Sequence, residues 1–216
     1  MGNFFATGLK ASSKTSRILL LGLDEAGKTC LLRQLSGYVG AGGGDRERKY
    51  GDVVPLAPTH GFQIHTLQYK GFRMEVVDIG GTKENRPHWR KYYDNVHGII
   101  FVIDAADRRR FEEAGVALEE VLEDERLANV PLLIFANKQD KVMAVGEHRL
   151  SEGLNLHHIR GRTWQCVGCS CLTAPTTSTD KDGNEISNLK SIQTSFQWLV
   201  RTMARLAGID VDQLTK

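Results

Sequence analysis

Residues 18–29 constrain the fold more than any other stretch: Ile-Leu-Leu-Leu followed by Gly-Leu-Asp-Glu-Ala-Gly-Lys-Thr. Residues 18–21 are apolar on every side, as expected of a central parallel strand covered on both faces. Gly22 to Gly27 breaks that strand, and residues 28–35 read as a helix. The pattern G-x-x-x-x-G-K-[ST] between a buried strand and a helix is a phosphate-binding loop in the context that gives the motif its meaning. Its glycines let successive N–H groups curl toward an anion at a helix N-terminus. Asp24, Glu25, Ala26, Gly27, Lys28, Thr29 and Cys30 are therefore candidate phosphate contacts. Lys28 adds a full charge near the β- and γ-phosphates, and the Thr29 hydroxyl is suited to Mg²⁺. A nucleoside triphosphate or similar ligand follows; which base it carries does not.

The rest of the chain repeats the same grammar. Residues 98–103 and 131–136 are strand-sized apolar runs, residues 110–127 between them have helical spacing, and residues 164–171 read as a fourth strand. Ile192, Phe196, Leu199, Val200 and Met203 recur at helical intervals. From Phe62 onward the pattern becomes a hairpin: Phe72, Met74 and Val76 alternate with Arg73, Glu75 and Val77, and Lys70-Gly71 sits where a two-residue turn belongs. Buried strands alternating with helices, plus one hairpin, predict an α/β domain with a mostly parallel sheet. Two segments interrupt it. Six of the 22 glycines fall between residues 37 and 51, which reads as a loop, and residues 174–183 form a Thr/Ser/Asp-rich loop insertion. With 41% hydrophobic and 25% charged residues the chain has a globular composition. A net charge of +2 gives no argument for nucleic acid. No apolar run reaches the roughly 20 residues needed to span a bilayer.

Three further motifs narrow the ligand. Asn137-Lys138-Gln139-Asp140 follows an apolar strand at the edge where ligands bind in open α/β sheets. A carboxylate there accepts two hydrogen bonds from guanine N1–H and its 2-amino group, whereas adenine would set an acceptor against it. Asp78-Ile79-Gly80-Gly81 ends the second hairpin strand. A carboxylate there can orient Mg²⁺, and the Gly81 N–H can reach a γ-phosphate with no side chain in the way. Thr59, just before the first hairpin strand, could supply a second hydroxyl to the metal, so the expected metal set is Thr29, Thr59 and Asp78. Loops ordered by a third phosphate are a switching device.

With these motifs together, the chain resembles the Arf and Arf-like branch of the Ras superfamily of small GTPases along nearly its whole length. The resemblance rests on residues 22–29, on Pro58-Thr59-His60-Gly61-Phe62, and on residues 78–81 with Arg86-Pro87-His88-Trp89-Arg90. It is extended by residues 137–140, by Ala105, Asp107, Arg110, Phe111, Glu112 and Glu113, and by residues 153–157. It implies a P-loop small G-protein fold with a six-stranded, mostly parallel sheet, GDP/GTP cycling with Mg²⁺, and a hairpin that shifts register to expel an N-terminal helix. It implies the following layout: an N-terminal helix over residues 1–16, a G domain over 17–207 with insertions at 37–57 and 174–188, and a tail over 208–216. It also implies a monomer served by an exchange factor, a GTPase-activating protein and effectors, among them carriers of lipidated cargo.

Departures from the family pattern sharpen the reading. The water-orienting glutamine is Thr82 here, so weak GTP hydrolysis is expected, with Gly81 and Thr82 as the residues nearest the chemistry. His60 and Glu84 are the alternatives for positioning water. In the base-capping loop, Ser170, Cys171 and Leu172 correspond to the guanine contact, with Cys171 where the family has alanine; a contact made through the backbone tolerates that. Val77 stands where the family has a tryptophan. Cys166, Cys169 and Cys171 read as three thiols on one strand without a fourth metal ligand nearby. At the N-terminus, Phe4, Phe5 and Leu9 beside Lys10, Lys14 and Arg17 suggest an amphipathic helix with a basic flank. Gly2 fits the Arf myristoylation pattern, although Ala6 stands where the general rule wants Ser or Thr. The expected setting is cytoplasmic with reversible membrane association, at the Golgi or the base of a cilium or flagellum.

Overall fold

In the computed structural model, which describes residues 15–40, 59, 61–69, 72–171, 177–179 and 185–209, the apolar strand that opens the phosphate loop lies inside a six-stranded sheet. Its strands are β1 (Ser16–Leu21), β2 (Phe62–Tyr69), β3 (Phe72–Ile79), β4 (Gly98–Asp104), β5 (Leu132–Asn137) and β6 (Trp164–Gly168), in the spatial order β2-β3-β1-β4-β5-β6. Only the β2–β3 pair is antiparallel; β3, β1, β4, β5 and β6 run parallel. The mostly parallel sheet with one hairpin is the architecture that the sequence predicted.

The all-apolar strands are explained by cover on both faces. Because strand side chains alternate, Ile18, Leu20, Ile100, Val102, Leu133 and Phe135 face one way. They meet Leu31, Leu32 and Leu35 of α1 (Lys28–Gly40) and Ile192, Phe196, Leu199, Val200 and Met203 of the last helix. Leu19, Leu21, Ile99, Phe101, Ile103, Leu132 and Ile134 face the other way. There they meet Ala114, Leu118 and Val121 of α2 (Phe111–Leu122) and Leu150 of α3 (Glu147–Gly153). The C-terminal ends of the parallel strands all open on one edge, and β1 lies where the strand order reverses, the usual crevice for a ligand.

The structure corrects several boundaries. Helix α1 runs to Gly40 rather than stopping at Leu35, so it includes Gly37 and Gly40 of the glycine-rich stretch. Glycine costs a helix about 1 kcal/mol per residue, which an anchored helix absorbs. Residues 110–127 are not one helix: 3₁₀ turns at Arg108–Arg110 and Glu125–Leu127 flank α2. The polar insertion is more than a loop, since β7 (Thr177–Thr179) and β8 (Glu185–Ser187) pair antiparallel before α4 (Asn188–Leu206). Strand β6 ends at Gly168, so the three cysteines do not share it. Cys166 packs beside the α2 side of the core, while Cys169 and Cys171 are buried on the α1 side. Residues 1–14, and with them Gly2 and the basic flank, lie outside the described residues, as do His60, Lys70-Gly71, Leu172, residues 41–58 and the tail from 210.

The two-sided burial gives a direct test. Phe196 is fully buried and Val116 of α2 is 52% exposed. Phe196→Ala should cost about 3–5 kcal/mol in chemical denaturation. Val116→Ala should stay within about 0.5 kcal/mol of wild type.

Candidate functional site

Every candidate residue within the described set gathers at the C-terminal edge of the sheet. After β1 the chain turns at Gly22, whose φ of +136° and position under β4 exclude a side chain: a Cβ there would lie 2.2 Å from the Val102 carbonyl oxygen. Glu25 and Gly27 also adopt positive φ, which curls the loop. The first helical acceptor is the Gly27 carbonyl, taken by Leu31, so the N–H groups of Lys28, Thr29 and Cys30 lie ahead of the helix's own hydrogen bonds. Lys28 is buried, and its ammonium donates to the Gly22 and Leu23 carbonyls at 2.9 and 2.8 Å. Burial pushes Lys28 down to about 8, against the pull of Asp78 and Asp24. A buried ammonium and three N–H groups ahead of the helix's own hydrogen bonds make this loop a candidate anion site.

Three oxygen-bearing side chains from three segments meet beside it. The Thr29 hydroxyl donates to Asp78 Oδ2 at 2.8 Å and lies 3.1 Å from the Thr59 hydroxyl. Asp78 is fully buried, and its second oxygen, Oδ1, has no hydrogen-bond partner among the described residues. Burial raises the Asp78 carboxyl, with the Thr29 hydrogen bond acting in the opposite sense. An orphaned buried carboxylate oxygen next to two hydroxyls is a donor set of the hard, oxygen-rich kind that suits Mg²⁺.

The opposite end of the cleft is organised by Asn137. Its amide donates to the Ala26 carbonyl at 2.8 Å, and its oxygen accepts from the Cys171 N–H at 3.2 Å. Gly27 is needed beneath it, because a Cβ would lie 2.3 Å from the Asn137 amide nitrogen. Lys138, at φ +67°, turns its ammonium onto Asp104 at 2.6 Å. Asp140 accepts from the Ser170 hydroxyl. The Cys171 carbonyl in turn accepts from Gln34 and from the Cys30 thiol, at 3.0 and 3.2 Å, both on α1. Asn137, Lys138, Asp140, Ser170 and Cys171 thus form one patch.

The loop after β3 is pressed onto the phosphate loop. A Cβ at Gly81 would meet Gly22 and Leu23 backbone atoms at 2.3 Å. Trp89 Nε1 donates to the Gly80 carbonyl at 2.9 Å, and Arg86 Nε to the Gly81 carbonyl at 2.8 Å. The Thr82 hydroxyl accepts from the Asn85 amide at 3.1 Å. The exposed Glu84 carboxyl is held below its usual range, first by its own backbone N–H and next by the neighbouring Thr82 hydroxyl. Asp24 carries more than a backbone contact: its carboxylate bonds Arg110 at 2.7 Å. Asp104, Asn85, Gln34 and the partners of Asp24 were not legible as site residues. Only Arg110 and Glu113, three apart at the start of a helix, offered a signal, that of a local ion pair.

Comparison with known proteins agrees with this geometry. Residues 3–183 match the family model described as the ADP-ribosylation factor family. The chain is 45% identical over 162 residues to ADP-ribosylation factor-like protein 3 of Caenorhabditis elegans, covering 74% of this chain and 81% of that one. It is 43% identical over 163 residues to the protein of the same name from Chlamydomonas reinhardtii, covering 76% and 85%. Among solved structures, the Arl6 (BBS3) small GTPase of Trypanosoma brucei with the bound nucleotide analogue GppNp matches at a TM-score of 0.69 and 25% identity, covering 88% of this chain and 98% of that one. With its phosphate loop, its buried Asp78–Thr29–Thr59 cluster and its Asn137-centred patch, this chain belongs to the ADP-ribosylation factor family of small GTPases.

Proposed function

We propose that this protein is a GDP/GTP-regulated switch for the trafficking of membrane or lipidated cargo, and that it hydrolyses GTP weakly, even with an activating protein. The observation that carries the reading is the convergence of Lys28, Thr29, Thr59 and Asp78 at one end of a cleft whose other end is Asp140 and Ser170. In this reading the backbone of residues 24–30 and Lys28 grip the phosphates. Asp140 reads the guanine N1–H and 2-amino edge, Lys138 lies along the base, and the loop of Ser170 and Cys171, tied to Asn137 through the Cys171 N–H, covers it. Thr29, Thr59 and Asp78 hold Mg²⁺, which when bound neutralises charge on the β- and γ-phosphate oxygens. The Gly81 N–H, which has no acceptor among the described residues, faces the γ-phosphate and reports its presence.

Weak hydrolysis follows from Thr82. A short hydroxyl that already accepts from the Asn85 amide lacks the reach and the paired amide donor and acceptor with which a glutamine fixes an attacking water. The same observation supports a second reading, a GTP-binding scaffold module held in one state. Bound nucleotide after purification separates the two: GDP supports cycling, GTP the scaffold. Exposed Phe62 and Ile64 on β2, beside Thr59, are the apolar surface through which an exchange factor, an activating protein or an effector would sense the state. Gly2, if myristoylated, supplies only marginal membrane binding, so Phe4, Phe5 and the basic flank complete the anchor.

Calorimetry should show GDP and GTP preferred over ADP and ATP by orders of magnitude, and Lys28→Ala should abolish that binding. Equal affinity for guanosine and adenosine ligands overturns the reading. A pH series adds an independent check. Unliganded protein sheds the Lys28 proton above about pH 8, while a docked phosphate retains it, so binding takes up a proton there. GDP affinity should therefore fall by up to about tenfold per unit as pH rises past 8, and be flat below it. Single-turnover assays with a cognate activating protein should find Thr82→Gln faster than wild type by about tenfold or more. Equal rates would remove Thr82 as the cause.

A further inference from the structure

Asp24 of the phosphate loop forms a closed ring with Arg86, Arg110 and Glu113, three charged side chains from outside it, beside the loop after β3. Arg86 donates to Glu113 Oε1 at 2.7 Å and its NH2 lies 3.6 Å from Asp24 Oδ1. Arg110 donates through Nε to Glu113 Oε2 at 2.7 Å and through NH2 to Asp24 Oδ1 at 2.7 Å. Each carboxylate thus answers both guanidinium groups, and the charges cancel. All four side chains are between 15% and 32% exposed, well beyond what a solvated surface pair offers. Glu113 is held near 2, first by the Arg110 hydrogen bond. The ring joins the phosphate loop, through Asp24, to the start of α2, through Arg110 and Glu113.

What the ring holds is a peptide plane. Arg86 also donates through Nε to the Gly81 carbonyl at 2.8 Å. Trp89 fixes the preceding carbonyl, that of Gly80. In a trans peptide the C=O and N–H point in opposite directions, so clamping the Gly80 and Gly81 carbonyls aims the Gly81 and Thr82 N–H groups the other way. A Cβ at Gly81 would lie 2.3–2.4 Å from backbone atoms of Gly22, Leu23 and Asp24, so the clamped peptide lies directly against the phosphate loop.

We infer that Arg86, held by Glu113, is a positioning residue that aims the backbone N–H groups of Gly81 and Thr82 at the terminal phosphate of GTP, and so sets the protein's preference for GTP over GDP. The inference rests on the cleft being a guanine-nucleotide site. Arg86 touches no phosphate itself. It acts through the Gly81 carbonyl, and the Arg110–Glu113 pair keeps its planar fork in one orientation. A lysine in its place could reach one of these acceptors but not the carbonyl and the carboxylate together.

The test measures GDP and GppNHp affinities, each with Mg²⁺, for wild type, Arg86→Ala, Arg86→Lys and Glu113→Gln. Both Arg86 variants should weaken GppNHp binding by about tenfold or more while leaving GDP within about twofold, with Glu113→Gln shifted in the same direction by less. A loosened fold would lower both affinities together, so equal losses, or no loss, overturn the inference. Full retention of GppNHp affinity in Arg86→Lys overturns it as well. If Arg86→Ala does not fold, Glu113→Gln decides alone: an unchanged GppNHp-to-GDP ratio refutes the positioning role. Should wild type bind neither nucleotide, the site assignment itself fails, a result distinct from equal affinities across the variants.

Discussion

One buried carboxamide holds the nucleotide cleft together. Asn137, only 2% exposed, donates to Ala26 in the phosphate loop and accepts from Cys171 in the loop after β6. Two loops from distant parts of the chain are thereby set against one side chain at the end of β5. A hydrocarbon of the same size would leave a buried carbonyl and a buried N–H unpaired, each costing about 1–3 kcal/mol. The demand reaches further: because the amide nitrogen sits where a Cβ at residue 27 would be, the second glycine of the phosphate motif is required by Asn137 as well as by phosphate.

The sheet makes that convergence possible. Five strands run parallel, so their C-terminal ends deliver residues 22, 80, 104, 137 and 169 to one edge, and the alternating apolar side chains of β1, β4 and β5 anchor them from both faces. The rigid layer sits beneath and the chemistry stands on loops, a division that lets loop residues change while the frame stays. Thr82 and Cys171 are such changes, whereas Val77 sits in β3 itself, buried in the core. Cys171 is accommodated because its N–H and carbonyl, not its thiol, make the contacts with Asn137, Gln34 and Cys30.

Much of this was legible in the residues. The phosphate loop announces itself by glycines at fixed spacing, the central strands by unbroken apolar runs, and α4 by five apolar residues on one stripe that the structure buries. Asp78 and Thr59 could be named from what a metal demands and Asp140 from what a base demands; the structure sets the first two beside Thr29 and the third beside Ser170. The ring of Asp24, Arg86, Arg110 and Glu113 could not be assembled, since Asp24 and Arg110 lie 86 residues apart and a linear spacing carries no distance. Asp104 was unreadable for the same reason: its partner Lys138 comes from the neighbouring strand. Helix ends failed differently. Gly37 and Gly40 are poor helix residues, but three leucines anchored to the sheet carry α1 past them, tertiary packing outweighing local preference. The β7–β8 pair hides in a segment whose composition is that of a loop.

Helix α1 links the two ends of the ligand. Its first turn carries Lys28 and Thr29, and from its second turn Gln34, together with Cys30, reaches back to hold the loop that covers the base. In the proposed site, tail and head of the nucleotide would therefore be gripped by one stiff rod. A force that tips this rod would loosen both grips at once, leaving half-released ligand no stable footing and making dissociation a single cooperative event.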